Sequence, residues 1–299
     1  MRVAIAGGTG FIGRALTKAL LNRGDSVYII TRNDTPRASD NERLHSVSWS
    51  ELQARPEIGE SFDAIVNLAG ESINQRWTPA AKARVLQSRQ WAAARVAELA
   101  KALKHKDFVV INASGISAYG ISATERFDET SQTAVTDYLS EVVRHWEEAA
   151  DAIPAKRLVK LRVGLVLDRK EGAFPLMAMP YRLFVGGRVG SGKQGLSWIH
   201  LEDMVGLILF CLDHPDIEGP VNGSAPEPVS NNEFGKAIAR AFKRPHWFPV
   251  PAVMMKLLFG EMSTLLLDGQ QAIPKKALDY GYQFQFPTVD SAMKQLSGH

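Results

Sequence analysis

Apolar residues in this chain gather in short unbroken runs, and between the runs they recur at intervals of three and four. Residues 3–6 form the first run, and residues 11–21 follow with the spacing of a half-buried helix. The alternation repeats along the first half. Residues 25–31, 46–50, 62–68, 107–112 and 157–167 read as further strands, with helices over 79–104 and 137–151 and Thr78-Pro79 as a start signal. Beyond about Gly172 the alternation weakens, and helices are expected over 202–213, 231–244, 251–259 and 290–296. Strands alternating with helices predict an α/β fold on a doubly wound parallel sheet with right-handed crossovers. The change of pattern divides the chain into residues 1–170, carrying that sheet, and residues 171–299, a smaller substrate-side region interleaved with it.

The link between the first strand and helix reads A-G-G-T-G-F-I-G. Its glycines fit both Gly8-x-Gly10-x-x-Gly13 and Gly7-x-x-Gly10-x-x-Gly13, and strand, turn and helix stand in the order a dinucleotide turn requires. Glycines let the backbone approach a pyrophosphate closely, while the helix start behind them offers free N–H groups and the positive end of its dipole. Gly7, Gly10, Phe11, Ile12 and Gly13 are therefore expected to hold the cofactor. The second strand ends in Thr31-Arg32. An acidic residue there would hold a ribose 2′-hydroxyl, whereas an arginine accommodates a 2′-phosphate, so the pair predicts NADP(H) over NAD(H), with Asp34 as the alternative ribose partner.

Ligands of open α/β sheets lie beyond the carboxyl ends of the strands. That rule brings Leu68, Ala69, Gly70 and Val166 to the cofactor, and it places Ser114, Ser117 and Tyr119 of A-S-G-I-S-A-Y-G where reactive groups belong. Arg89, on the long helix, faces either the cofactor or solvent. Arg76-Trp77 would clamp an anionic substrate or cap the cofactor, and His200, flanked by Trp198 and Ile199, reads as a packing residue. The second glycine-rich segment, residues 186–195, leads into S-W-I-H rather than a helix, so it reads as a flexible loop on the substrate side.

Composition narrows the classes further. The 299 residues carry a net charge of +3 with no run of like charge, so nucleic acid is not expected as a partner. The single cysteine, Cys211, excludes an internal disulfide and a thiolate zinc cluster, reads as a core thiol, and the histidines lack metal-ligand spacing, so no metal is expected. The longest apolar candidate for a membrane span, residues 253–267, is interrupted by Lys256, Gly260 and Glu261, and the N-terminus lacks a signal-peptide pattern. The expectation is a cytoplasmic protein that takes a small-molecule substrate, with no membrane partner and an oligomeric state the sequence leaves open.

The glycine turn, V-N-L-A-G-E-S-I, R-W-T, Q-S-R, W-E-E-A-A, L-R-V-G-L-V-L, G-S-G-K-Q, W-I-H-L-E-D-M and I-P-K-K-A-L together resemble the extended, atypical short-chain dehydrogenase/reductases of the NAD-dependent epimerase-like, SulA-like group. The resemblance runs nearly end to end and implies an NADP(H)-binding Rossmann domain with a smaller C-terminal substrate region. It also implies a Tyr-x-x-x-Lys pair, in which the ammonium lowers the phenol's pKa for proton transfer. No tyrosine of this chain has a lysine four residues later; Tyr138, in the expected helix, is followed at that spacing by Val142. The family's serine four positions before Tyr119 is Gly115, with Ser114 adjacent. Tyr119, Ser114 and Ser117 are the expected replacements and Tyr138 a weaker one. Two functions follow: an NADP(H)-dependent oxidoreductase or epimerase-like enzyme, or an NADPH-binding regulatory protein with little catalysis.

Overall fold

The computed structural model describes residues 1–32, 39–104 and 107–298. Asp34 lies outside the described residues. Seven parallel strands form one sheet in the order Gly219–Gly223, Arg157–Val163, Val109–Gly115, Ala64–Asn67, Arg2–Ala6, Ser26–Thr31, Leu44–Ser48. The chain winds outward from Arg2–Ala6 in one direction and then in the other. This reversal opens a crevice at the carboxyl ends of the central strands, and it makes the sheet a Rossmann fold.

Each face of the sheet is covered by helices whose apolar stripes match it. On one side Leu16 and Leu20 of the Phe11–Arg23 helix meet Val205 and Ile208 of the Leu201–Asp213 helix over Val3, Ile5 and Val66. On the other, Val96, Leu99 and Ala100 of the Pro79–Ala102 helix lie on Ile65 and Val110. The Leu201–Asp213 helix and the seventh strand, Gly219–Gly223, both return to the sheet from beyond residue 171. A separate core of Phe174, Trp198, Phe234, Ile238 and Met293 joins the helices Phe174–Arg182, Asn231–Phe242 and Val289–Ser297.

Several boundaries differ from the expectation, each for a local reason. The third strand is Leu44–Ser48 rather than 46–50, because Ser48 caps the helix Trp49–Ala54: its Oγ accepts from the Glu51 N–H at 3.0 Å. The 157–167 strand breaks at Gly164, whose N–H goes to the Gly223 carbonyl while that of Leu165 goes to Ser197. Leu165–Leu167 then pairs with Trp198–His200 instead of continuing in the main sheet. Residues 186–195 are tied down rather than free: the Gln194 amide donates to the carbonyls of Val189 and Leu266, and Asn231 Oδ1 accepts from the Val189 N–H.

His200 caps the Leu201–Asp213 helix, its Nδ1 accepting from the Glu202 N–H at 3.2 Å and its Nε2 lying 3.0 Å from Gln295 Oε1. Both ring nitrogens are thus engaged. Asp203, in the first turn of this helix, is buried, and its carboxylate accepts the N–H groups of Gln285 and Phe286 at 2.7 and 2.9 Å, so it anchors the C-terminal segment. Among the described residues no helix is long and apolar enough to cross a membrane, and no group of three or more His, Cys, Asp and Glu could hold a metal ion.

Candidate functional site

The glycine turn is as tight as its composition suggests. Gly7 has φ +81°, and a Cβ there would sit 2.8 Å from the Leu68 backbone. A Cβ on Gly13 would come within 2.3 Å of the Gly7 carbonyl oxygen, where only backbone could move to relieve it. The turn closes through Gly10 N–H to the Gly7 carbonyl at 2.9 Å, and the Phe11–Arg23 helix starts at Gly10 with no side chain capping it. Its first amides are left to an anion.

A cleft of about 1120 Å³ opens over this turn, walled by Gly7 and Gly10, Thr31 and Arg32, Leu68 to Ser72, and Arg84, Gln87, Ser88 and Trp91 of the long helix. The Leu68-Ala69-Gly70 wall is set from beneath. Asn67 Nδ2 donates to Asn112 Oδ1 at 2.7 Å, leaving Asn67 Oδ1 to accept the Ala69 N–H. The following loop is tied to the Pro79–Ala102 helix: Ser88 Oγ accepts the Glu71 N–H, and Arg84 donates to the Glu71 carboxylate at 3.0 Å. Hydrogen bonds from Gln75 and Arg84 hold the Glu71 carboxyl below its usual range, so it is anionic at neutral pH, with the Arg32 charge acting on it as well.

Arg89 lies under this loop, donating to the carbonyls of Glu71 and Val85 at 3.0 and 2.9 Å. Its guanidinium stands 4.9 Å from the centre of the Trp146 ring, and burial pushes its pKa down. Exposed Arg32 makes no ion pair within 4.0 Å among the described residues. The cleft therefore brings together Gly7, Gly10, Thr31, Arg32, Leu68, Ala69 and Gly70, with Phe11, Ile12 and Gly13 at the helix start behind them and Arg89 below Gly70. Val166 is elsewhere: it is buried in the core beneath the Phe11–Arg23 and Leu201–Asp213 helices, and it does not line the cleft.

The hydroxyls expected to handle protons are placed differently from one another. Ser114 is buried and donates to Glu147 Oε1 at 2.6 Å. Tyr119 is buried too, donating to Asn222 Oδ1 at 2.8 Å, stacked on Phe127, with the Arg162 guanidinium 4.9 Å from its ring centre. None of Ser114, Ser117 and Tyr119 is part of the cleft wall, and proton transfer through Ser114 or Tyr119 must first break a buried bond. Burial raises the Tyr119 pKa. Ser117 is half-buried, and among the described residues its hydroxyl has no hydrogen-bond partner. Tyr138 donates to the Lys82 carbonyl at 2.8 Å and packs edge-on against Trp77; burial raises its pKa while the nearby Arg89 charge opposes the rise. Trp77 itself is buried with its indole N–H on the Ile73 carbonyl, so it packs rather than clamps, and Arg76 is exposed.

The aromatic part of the cleft wall escaped the sequence reading. Trp49 and Trp91 stand at its far wall with ring centroids 6.1 Å apart, edge to face. Reading 46–50 as a strand hid Trp49; the S-x-x-E spacing of Ser48 and Glu51 marks a helix start and would have moved it to the strand's carboxyl end.

With that geometry in place, known proteins can be set beside it. The model of the NAD dependent epimerase/dehydratase family matches residues 3–142, and a domain of unknown function, DUF1731, matches residues 250–296. The chain is 41% identical over 299 residues to the epimerase family protein YfhF of Bacillus subtilis, covering 99% of this chain and 98% of that one. The chain belongs to the epimerase family. It is 38% identical to the epimerase family protein SH2119 of Staphylococcus haemolyticus, covering 98% and 97% of the two chains. Among solved structures, the human epimerase family protein SDR39U1, determined with NADPH, is 36% identical with a TM-score of 0.89 and 99% of each chain covered. WbmG of Bordetella bronchiseptica, determined with NAD, shares the fold at 18% identity and a TM-score of 0.76, covering 99% of this chain and 93% of that one.

Proposed function

We propose that this epimerase-family protein binds NADP(H) in the cleft and works as an oxidoreductase or epimerase-like enzyme on a small-molecule substrate. The observation that carries the reading is the uncapped helix start beneath a turn too tight for a side chain, facing Arg32 at the end of the second strand. The free amides of Phe11, Ile12 and Gly13 would hold the pyrophosphate, Arg32 would take the 2′-phosphate, and Trp49 and Trp91 would line the adenine end of the cleft. NADPH in the human relative supports the phosphorylated cofactor, while NAD in WbmG shows that the fold also accommodates the other. When bound, the nicotinamide gives or takes the hydride.

The chain's own part is to position and to move a proton. Arg89 fixes the Gly70-Glu71 backbone through the Glu71 carbonyl. Of the three hydroxyls at the end of the Val109–Gly115 strand, Ser117 is the one without a hydrogen-bond partner, and it is assigned the proton, with the protonated phenol of Tyr138 second. A regulatory protein that binds NADPH with little turnover is the second reading, favoured by the missing Tyr-x-x-x-Lys pair. Calorimetric titration with NADPH and NADH, followed by NADPH oxidation across a panel of carbonyl and nucleotide-sugar substrates, separates them. Turnover lost in Ser117→Ala supports the enzyme with that assignment. Tight NADPH binding without turnover on any substrate supports the regulator, and absence of nucleotide binding overturns both.

A further inference from the structure

The helix Ala252–Phe259 reads A-V-M-M-K-L-L-F, with one polar residue in eight. A helix apolar on all sides belongs in an interior. Here only Met255 is buried, while Val253, Leu257 and Leu258 are 69%, 82% and 68% exposed. The fold extends this face through a second apolar segment. Trp247, 67% exposed, donates its indole N–H to the Phe184 carbonyl at 2.8 Å, and its backbone N–H goes to Gly186. Val250 then bonds to Arg188, so residues 186–190 run beside 247–250, and Leu183, Phe184 and Val185 just before them add to the exposed surface.

Charge says what kind of partner covers it. Residues 174–193 and 236–259 carry eight Lys and Arg and no Asp or Glu, against a net charge of +3 for the whole chain, so the rest of the molecule is net acidic; of the eight, Arg240 is paired with Asp290 at 2.6 Å. The cations stand among the apolar groups: the Arg244 guanidinium lies 4.3 Å from the centre of the Phe184 ring, and that of Arg182 lies 5.4 Å from Phe242. A twofold contact with a second copy would set this surface against itself and bring cation to cation. An anionic bilayer meets both features at once, since its headgroup region takes apolar side chains and tryptophan while its phosphates take Lys and Arg.

We propose that this face seats the protein on an anionic lipid bilayer as a peripheral protein, with the Ala252–Phe259 helix and Trp247 entering the headgroup region. The sequence-based expectation of no membrane partner rested on the length of single apolar runs, and a surface assembled from two segments needs no long run. The cleft lies on other elements, so the proposal stands apart from the cofactor reading.

The test is cosedimentation with vesicles of phosphatidylcholine alone and of phosphatidylcholine with about a third phosphatidylglycerol, a fraction chosen to give a strongly anionic surface. Binding to the anionic vesicles that weakens as salt is raised is expected, with little binding to the neutral ones. The double variant Leu257→Ser/Leu258→Ser, at exposed positions, should lose binding at least tenfold, and each of Lys243→Gln and Lys256→Gln should weaken it about fivefold. Unchanged thermal unfolding would show that these variants fold. Binding that is absent in the wild type, or indifferent to all these changes, overturns the proposal. A concentration-dependent dimer in sedimentation equilibrium, lost in the double serine variant without any vesicle binding, assigns the face to a second copy and overturns it as well.

Discussion

Replacing Arg162 by methionine asks whether Ser114 and Tyr119 belong to a structural network. Arg162 is buried and donates to both oxygens of Glu147, at 2.8 and 3.0 Å, while Ser114 donates to the same carboxylate and Tyr119 packs against the guanidinium. Methionine fills much of the same volume but leaves a carboxylate whose side chain is 12% exposed without its partner. Removing one member of a buried pair costs about 3–5 kcal/mol. Lys160, 3.8 Å from Glu147, and the Ser114 hydroxyl remain, which places the expectation near the lower end, at about 3 kcal/mol. The pH dependence supplies an independent sign. In the wild type, burial works against the Glu147 charge, but Arg162 outweighs it and holds the carboxyl below its ordinary value of 4.5. That contribution is present above the unfolded value and is lost as pH falls through the folded one. Without Arg162, burial prevails and the carboxyl rises, so the variant's deficit is full at pH 7.5 and shrinks toward pH 5. Urea unfolding followed by tryptophan fluorescence at the two pH values measures both. A deficit below about 1 kcal/mol, or one that does not shrink on acidification, refutes the reasoning, since a loss that small is that of an exposed pair.

Arg32→Ala should weaken NADPH about tenfold, roughly 1.4 kcal/mol for an exposed charge-assisted contact, and leave NADH unchanged; equal affinities for NADPH before and after in calorimetry would remove Arg32 from the site. Gly13→Ala, whose Cβ would meet the Gly7 carbonyl oxygen at 2.3 Å, should weaken both nucleotides about fivefold or more through displacement of the turn, a cost of about 1–3 kcal/mol, and an unaffected titration would contradict it. Cys211 has its thiol pushed up to about 12 by burial, so it should resist a thiol reagent at pH 8 in the native protein and react fully in urea. Fast labelling of the folded protein would show that the thiol is reachable.

How much of this was legible in the sequence depends on the range over which each feature is determined. The strand, turn and helix around residues 3–13 are local, written in apolar run length, glycine spacing and helical period, and the structure reproduces them as Arg2–Ala6 and Phe11–Arg23. The parallel sheet follows from alternation alone. Gly164 could not be read, because the strand breaks there only when Gly223 and Ser197, both distant in sequence, supply its partners. Ser114 and Tyr119 failed to be legible for the same kind of reason. A strand's carboxyl end presents side chains alternately to either side, and which side meets the cleft is settled by Glu147, Arg162 and Asn222, residues that no local pattern connects to them.

That network also bears on the absent Tyr-x-x-x-Lys pair. The Tyr138–Asp151 helix, where the family pattern puts its tyrosine and lysine, carries Val142 in place of the lysine, and Val142 is buried. Nine residues after Tyr138 the same helix sends Glu147 to Arg162 on the neighbouring strand, so its strongest polar tie runs to the sheet interior. Two cations of the Pro79–Ala102 helix stand by Tyr138: Lys82 Nζ lies 4.5 Å from the centre of its ring, and the charge of Arg89, which is stacked on Trp146 and bonded to the loop that walls the cleft, opposes the rise of its pKa. A lysine within the helix would have fixed phenol and charge on one rigid element. Here the charge comes from the neighbouring Pro79–Ala102 helix, and the same Arg89 guanidinium holds the Glu71 carbonyl of the loop. On the proposed reading, Arg89 would therefore act on both the cleft wall and the phenol, where the ordinary pair keeps phenol and charge on one helix.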